Sequence, residues 1–312
     1  MIHPECYAPP YYGAFRCSAG SCQHSCCIGW EIDIDPASFK RYSHLSGSIG
    51  HRLRSSMQVN SDGDAFFTTV EGDRCPFLRT DGLCDLILLL GEDALCDICT
   101  LHPRYRNDFA GRTEVGLGLC CEQAAHLILT YPAPPILAPI PWPKRMEAEG
   151  RDVCGEEAAF ELELLSLRDR LLIRLFEEST LSWLLSLARE HTVASYAATL
   201  LALSRLDPAW DEMLAPLLTE KRSLSDFDPL DLDMPLRQFA AYLITRHIPC
   251  AADQEEIRAA LRFIACAVAF VGFGCCHSLS RLLEFARMFS AEIEYDTDNL
   301  SSLILMHLEE ET

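Results

Sequence analysis

The feature that most constrains this 312-residue chain is the order of its cysteines, because eleven of the sixteen lie within the first 121 residues. Ten of them form four groups: Cys17, Cys22, Cys26 and Cys27; Cys75 and Cys84; Cys96 and Cys99; Cys120 and Cys121. Close neighbours in a chain rarely form disulfides, whereas thiolates from several groups can surround one soft metal centre. The sequence therefore predicts a metal or iron–sulfur site in the amino-terminal third.

The compartment expected from the sequence supports metal rather than disulfide chemistry. Residues 1–10 lack the apolar stretch of a signal peptide, and the longest apolar run, residues 263–276, is short for a membrane span. We therefore expect a cytoplasmic protein that does not act on membranes. Reducing conditions there keep clustered cysteines available for metal.

The charge of the chain restricts its partners. The formal net charge is −20, and most of the excess acid lies after residue 121. Phosphate contacts need lysine and arginine, so this balance argues against a nucleic-acid partner. An acidic surface can instead attract a lysine-bearing protein.

The pattern of the chain predicts a mostly α protein in two parts. We expect a loop-rich, cysteine-containing metal-binding domain over residues 1–130, a proline-rich linker over 131–143 and an all-α helical domain over 144–312. In the first part, alternation over residues 30–34 predicts a strand. Asp35 and Pro36 then predict the start of a helix that runs through Tyr42. In the second part, apolar spacing predicts helices over 156–178, 180–189, 193–206, 236–247, 255–272 and 278–289.

The cysteines alone leave the identity of the metal open. Zinc usually takes four ligands in two neat pairs, whereas many unevenly spaced thiolates suit an iron–sulfur cluster somewhat better. Later cysteines are interpreted as small buried apolar residues: Cys154, Cys250, Cys266, Cys275 and Cys276.

Four motifs together carry a resemblance to a known family. Residues 15–30 read Phe-x-Cys-x-x-Gly-x-Cys-x-x-x-Cys-Cys-x-x-Trp, and residues 75–84 contain Cys-Pro-Phe-Leu and Gly-Leu-Cys. Residues 90–104 contain Leu-Gly, Leu-Cys-x-x-Cys and Pro-Arg, and residues 121–125 read Cys-x-x-Ala-Ala. Over about residues 1–130 the chain resembles the flagellin lysine-N-methylase family, related to cysteine-rich zinc- or iron-chelating domains. Beyond residue 130, the chain resembles this family only in the aromatic and basic stretch at 239–247.

The resemblance implies methylation of lysine side chains on flagellin, or on another lysine-bearing protein, with S-adenosylmethionine as donor. It also implies an iron–sulfur cluster, [4Fe–4S] in type, with zinc as the alternative. The implied ligands are Cys17, Cys22, Cys26, Cys27, Cys75, Cys84, Cys96, Cys99 and Cys121. It assigns no catalytic base and no donor pocket.

The sequence contains no conventional donor motif. The pairs Gly116-x-Gly118 and Gly272-x-Gly274 lack a third glycine and a strand–turn–helix setting, so we interpret them as packing glycines. A radical-type cysteine triplet is also missing, because residue 29 is glycine. The cluster is thus either structural or anchors the donor through an open iron.

Two other functions fit the same cysteines. In one, zinc holds a loop-rich module together and the protein binds a partner without catalysis. In the other, a vicinal pair, Cys26–Cys27 or Cys120–Cys121, works as a redox sensor.

Overall fold

The computed structural model describes residues 5–143, 155–178, 181–229 and 232–309. Two compact units are present: a smaller one formed by Arg16–Tyr105, and a larger one formed by Met1–Phe15 together with Arg106–Thr312. Helices predominate, with short strands in the amino-terminal part, which confirms the predicted mostly α fold class. The domain boundaries at residues 130 and 143 stay a prediction.

The smaller unit is built on a three-stranded antiparallel sheet in the order β2–β4–β3. Its elements are β2 (Ile32–Ile34), α1 (Pro36–His44), α2 (Gly47–Ser56), β3 (Met57–Val59), β4 (Ala65–Phe67), α3 (Asp85–Leu90) and α4 (Asp97–Leu101). The predicted strand at 30–34 and the helix from Pro36 are both confirmed. Asp35 caps α1, since its Oδ1 accepts from the Ser38 amide at 2.8 Å.

Aromatic side chains fill the core beneath this sheet. Phe67 contacts Phe77 edge-on at 5.1 Å between ring centroids and stacks on Tyr42 at 6.0 Å. The Tyr42 hydroxyl donates to the Ala94 carbonyl at 2.6 Å, which ties α1 to the segment leading into the third cysteine group. The cysteine-bearing loops of this unit therefore rest on a packed core.

The larger unit contains a four-stranded sheet in the order β5–β6–β1–β7. Its strands are β1 (Glu5–Ala8), β5 (Arg104–Phe109), β6 (Arg112–Leu117) and β7 (Ala138–Ile140), with β1 parallel to β6 and antiparallel to β7. Strand β7 lies within the proline-rich segment. The Gln238 side chain donates to the carbonyls of Tyr131 and Ala133 in that segment, at 2.8 and 2.7 Å.

Around this sheet, every regular element described after β7 is a helix. The helices of the larger unit are α5 (Glu122–Leu129), α6 (Gly155–Glu177), α7 (Ser182–Leu185), α8 (Val193–Leu201), α9 (Ala209–Leu214), α10 (Asp233–His247), α11 (Gln254–Cys275), α12 (Leu279–Phe289) and α13 (Thr297–Glu309). Helix α11 is long and apolar enough to cross a membrane, with a mean hydropathy of 1.7, but 78% of that window is buried inside the protein. It packs against α10, α12 and α13 and forms the core of the unit.

Buried charge joins the sheet to α6. Arg168 of α6 is fully buried and forms an ion pair with Glu114 of β6, which also pairs with Arg112 at 2.6 Å. A second link runs from the Ala110 amide to Glu161 Oε2 at 2.8 Å. Arg168 and Glu161 therefore hold α6 against the sheet.

Most predicted helices are present, but the helix predicted over 180–189 is shorter: α7 is followed by a 3-10 turn, Ser186–Ala188. The helix predicted over 193–206 ends at Leu201, because the Asn299 side chain binds the Ser204 amide and carbonyl instead. Leu162 of α6 is 55% exposed. Of the later cysteines, Cys266 and Cys275 are buried as expected, whereas Cys250 and Cys276 are exposed, which corrects their interpretation. Cys154 lies outside the described residues.

Candidate functional site

Five of the predicted cysteine ligands come together in the core of the smaller unit. Cys75 and Cys96 are core residues, and Cys27, Cys84 and Cys99 pack against the same cluster. The Cys75 amide donates to the Cys27 carbonyl at 2.8 Å, which joins the first cysteine group to the second. Three separate groups of the sequence therefore meet in one place.

Tight backbone packing makes this meeting possible. Gly20, between Cys17 and Cys22, lies against the turn before Cys84, where an added Cβ would come within 2.9 Å of the Asp81 carbonyl oxygen. Gly82 in that turn has φ of +77°, a conformation that favours glycine. Gly20 and Gly82 thus let the backbone of the first cysteine group approach that of the second.

Backbone amides and helix starts surround the sulfurs. The Phe77 amide donates to Cys75 Sγ at 3.5 Å, and Cys84 and Cys96 occupy the residues immediately before α3 and α4. Amide dipoles at helix starts favour negative charge on sulfur. These amides favour the thiolate forms, but burial outweighs them at Cys75 and Cys84 and raises the pKa of both thiols.

The thiols influence one another strongly. A hydrogen bond with Cys26 lowers the pKa of Cys27 to about 7, against the effect of burial and with help from Arg74. The hydrogen bond with Cys99 lowers the pKa of Cys96, and the same bond together with burial raises that of Cys99. Burial raises the pKa of Cys75 to about 12. The protein alone stabilises only part of the set as thiolates, and a bound cation would supply the missing positive charge.

The remaining predicted ligands have different surroundings. Cys17 is exposed, and its sulfur accepts from the Ala19 amide at 3.4 Å, while the partly buried Cys22 donates to the His24 carbonyl at 3.2 Å. Cys26 is exposed beside Cys27. Cys121 belongs to the larger unit, where it precedes the first residue of α5.

The spacing of the sulfurs bears on the choice of metal. Within the described ranges, one group of three or more metal-ligating side chains has all its ligand atoms within 4.8 Å of one another, and it contains none of these cysteines. A tetrahedral zinc site with Zn–S bonds of about 2.3 Å brings its sulfurs to about 3.8 Å. In a [4Fe–4S] cluster each cysteine binds a different iron, so its sulfurs stay farther apart. Five clustered thiols are a donor set that both zinc and an iron–sulfur cluster accept.

A buried polar cluster in the larger unit was not predicted. His247 Nε2 lies 3.0 Å from Glu294 Oε1, and Arg246 Nε lies 3.7 Å from the same oxygen. Glu294 ends a π-helical turn, Ser290–Glu294, which follows α12. Such turns occur frequently at functional sites. The only sequence signal was the aromatic and basic stretch at 239–247, which supplies His247 and Arg246 but not the carboxylate.

Two tyrosines connect this cluster to the fourth cysteine group. The Tyr242 hydroxyl accepts from the Leu119 amide at 3.3 Å, and Tyr295 Oη occupies the space above Gly118, 2.0 Å from where a Cβ would lie. Burial, and next the charge of Cys120, raises the pKa of Tyr295, and burial raises that of Cys120 to about 12. Neutral phenol and thiol groups therefore lie beside the Glu294 carboxylate.

The glycine pairs considered as donor motifs have packing roles. A Cβ on Gly272 would lie 2.3 Å from the Phe227 ring, and one on Gly274 would lie 2.3 Å from the Phe285 ring. With Tyr295 over Gly118, three of these four glycines are needed for close side-chain packing. The interpretation as packing residues is confirmed for Gly118, Gly272 and Gly274.

Comparison with known proteins gives a partial match. The chain is 27% identical to the lysine-N-methylase of Salmonella typhimurium (strain LT2) over 130 residues, which is 40% of this chain and 32% of the relative. It is also 27% identical over 130 residues to the "Flagellar biosynthetic protein FliU" of Salmonella muenchen, of which 76% is covered. The aligned segment spans about a third of the lysine-N-methylase. No family model and no solved structure matches the chain.

Proposed function

We propose that this protein is a cytoplasmic protein-lysine N-methyltransferase that uses S-adenosylmethionine and methylates flagellin or another lysine-bearing protein. The observation that carries the proposal is the meeting of Cys27, Cys75, Cys84, Cys96 and Cys99 in one core, in a chain similar to proteins named lysine-N-methylase. The net charge of −20 supports a lysine-bearing substrate, because opposite charge favours its approach.

The proposed cofactor is a [4Fe–4S] cluster held by three of these five thiolates, so that one of its irons has no cysteine ligand. Cys17, Cys22 and Cys26, which belong to the same unit, remain candidate ligands under the same proposal. When bound, the cluster supplies an iron that can hold the methyl donor at an open coordination position. The protein stabilises its sulfurs through the Phe77 amide and through the starts of α3 and α4.

Methyl transfer makes two demands on the polypeptide. The lysine amine must lose its proton before it attacks, and it must approach the donor methyl in line. A proton acceptor near the amine meets the first demand, and positioning of the two substrates meets the second.

The direct test uses protein purified without oxygen, with iron, acid-labile sulfide and zinc quantified. Transfer of a labelled methyl group from S-adenosylmethionine to flagellin is measured for the wild type, Cys99→Ala and Cys250→Ala. We expect Cys99→Ala to lose iron and transfer together, and the control Cys250→Ala, whose residue is exposed in the other unit, to retain both. A fully loaded protein that transfers no methyl group would reject the proposal, and stoichiometric zinc in place of iron would favour the non-catalytic module.

One observation favours a second candidate, the redox sensor. Cys26 is exposed, and its hydrogen bond lowers the pKa of the adjacent Cys27 to about 7, so a vicinal thiolate forms near neutral pH. Reversible oxidation of this pair in metal-free protein, followed by thiol labelling, would support the sensor. Loss of oxidation on iron loading would assign the pair to the cluster instead.

A further inference from the structure

A second group of metal-ligating side chains lies in the larger unit, away from the clustered cysteines in sequence. His191, Cys266 and His307 offer one ligand atom each, and these three atoms lie within 4.8 Å of one another. His191 precedes α8, Cys266 is in the middle of α11, and His307 is in the last turn of α13. Two imidazoles and a thiol thus converge from three separate elements.

The distances are close to those of a metal site. With Zn–N bonds of about 2.0–2.1 Å and a Zn–S bond of about 2.3 Å, tetrahedral geometry separates the ligand atoms by about 3.3–3.6 Å. Side-chain adjustments of about 1 Å would therefore bring the three atoms onto one ion. The rings of His191 and His307 are nearly perpendicular, at 82° with centroids 5.4 Å apart, so they are not stacked on each other.

The group lies inside the protein. Cys266 is 0% exposed and His307 is 1% exposed, while His191 is partly buried. The surroundings are aromatic, since Tyr196 contacts both His191 and Phe270 edge-on, at 5.7 and 5.2 Å. Metal access would come by way of His191, the one member with exposed surface.

The backbone around each histidine is fixed. The His191 carbonyl accepts from the Leu224 amide at 2.9 Å, and the His307 carbonyl accepts from Arg262 Nη1 at 3.2 Å. Cys266 is held by the 22-residue helix α11. Rigid supporting elements of this kind keep metal ligands in place before the ion binds.

We infer that His191, Cys266 and His307 form a zinc site, which goes beyond the proposed function and does not depend on it. The ion binds two neutral imidazoles and the Cys266 thiolate, and the thiol proton is released to solvent as the Zn–S bond forms. Three protein ligands leave the fourth tetrahedral position to a water molecule. Imidazole nitrogen and thiolate sulfur are both ligand types that Zn²⁺ takes in proteins.

The experiment must separate this site from the clustered cysteines. Full-length protein is first loaded with iron and sulfide, then incubated with Zn²⁺ and desalted, and zinc and iron are quantified together. The variants are Cys266→Ala and His191→Gln, with Cys275→Ala as a matched control, since Cys275 is equally buried on the same helix. Thermal unfolding with and without Zn²⁺ provides a second readout.

We expect wild type and Cys275→Ala to retain one more equivalent of zinc than Cys266→Ala or His191→Gln, at equal iron content. Added Zn²⁺ should raise the unfolding midpoint of wild type and of Cys275→Ala. It should leave the midpoints of Cys266→Ala and His191→Gln unchanged. Should Cys266→Ala fail to fold, the partly exposed His191→Gln variant decides alone. Equal zinc content in every folded variant would overturn the site and leave a packing role for the three residues.

Discussion

His247 donates a hydrogen bond from Nε2 to Oε1 of Glu294 across 3.0 Å, and both side chains are buried between α10 and the π-helical turn. The direction is set by chemistry, because an ionised carboxylate can only accept. Arg246 lies 3.7 Å from the same carboxylate oxygen. A negative charge with no exposed surface is thus surrounded by the basic residues of one helix.

Replacing Glu294 by glutamine should destabilise the protein by about 3 kcal/mol, because the Arg246 guanidinium, 3.7 Å away, loses the negative charge of a buried carboxylate. Urea unfolding of the full chain measures this change. Glu212→Gln, an exposed glutamate on α9, is the matched control and should stay within about 0.5 kcal/mol of wild type. Equal stability of the two variants would show that the Glu294 pair does not stabilise the fold.

The same pair predicts a dependence of stability on pH. Burial acts to raise the pKa of Glu294, but the hydrogen bond from His247 and the charge of Arg246 outweigh it and hold the pKa below its ordinary value of 4.5. A carboxyl with a depressed pKa in the folded state contributes stability that is complete above the unfolded value and lost as pH falls through the folded one. Below about pH 4.5, wild type should therefore lose stability more steeply than Glu294→Gln. Parallel pH profiles from urea titrations would contradict this assignment.

Much of this fold could be predicted from local sequence, and what could not depends on distant contacts. Asp35 and Pro36 predicted the start of α1 because capping is local chemistry. Strands β1 and β6 were missed because they pair across about a hundred residues, as Cys6 with Thr113 shows. The meeting of Cys27 and Cys75 could be predicted because both are cysteines, the residue type that a shared metal site requires. Glu294 could not be found in this way, since a π-helical turn places it.

The group of His191, Cys266 and His307 could not be predicted from local sequence either. Cys266 lies in the most apolar stretch of the chain, and its burial agrees with the interpretation as a small apolar residue. Nothing within several residues of it predicts an imidazole partner. Only the packing of α11 against α13 and the segment before α8 brings the ligand atoms together.

Arg168 offers a test of the link between the sheet and α6. Its guanidinium is fully buried and pairs with Glu114, so Glu114→Gln should cost about 3–5 kcal/mol in urea unfolding. Asp169→Asn removes the other, 47% exposed partner and should cost less than about 1 kcal/mol. The double variant Glu114→Leu/Arg168→Met should recover most of the loss, because both buried charges are removed. If the double variant is as unstable as Glu114→Gln, then the fit of the two side chains, and not their charge, determines stability at this position.

Gly118 tests the contact between the fourth cysteine group and the polar cluster. Its replacement by alanine puts a Cβ 2.0 Å from Tyr295 Oη, so the tyrosine must move and stability should fall by about 1–3 kcal/mol. Adding Tyr295→Phe removes the hydroxyl and should recover part of that loss, which a double-mutant cycle measures. Additive losses would mean that the two residues do not interact.

Asp35 connects two elements of the cysteine-bearing unit with one carboxylate. Oδ1 accepts from the Ser38 amide at 2.8 Å and Oδ2 accepts from the Asp97 amide at 2.9 Å, so the side chain caps α1 and holds the start of α4 beside Cys96. Asp35→Ala should cost about 1–2 kcal/mol from the lost cap and leave the Asp97 amide without this acceptor. Hydrogen exchange should consequently speed up at the amides of residues 38 and 97 in this variant. Asp33→Ala, an exposed aspartate on β2, is the control and should leave both rates unchanged. If the two variants exchange alike, the carboxylate of Asp35 does not hold α4 in place.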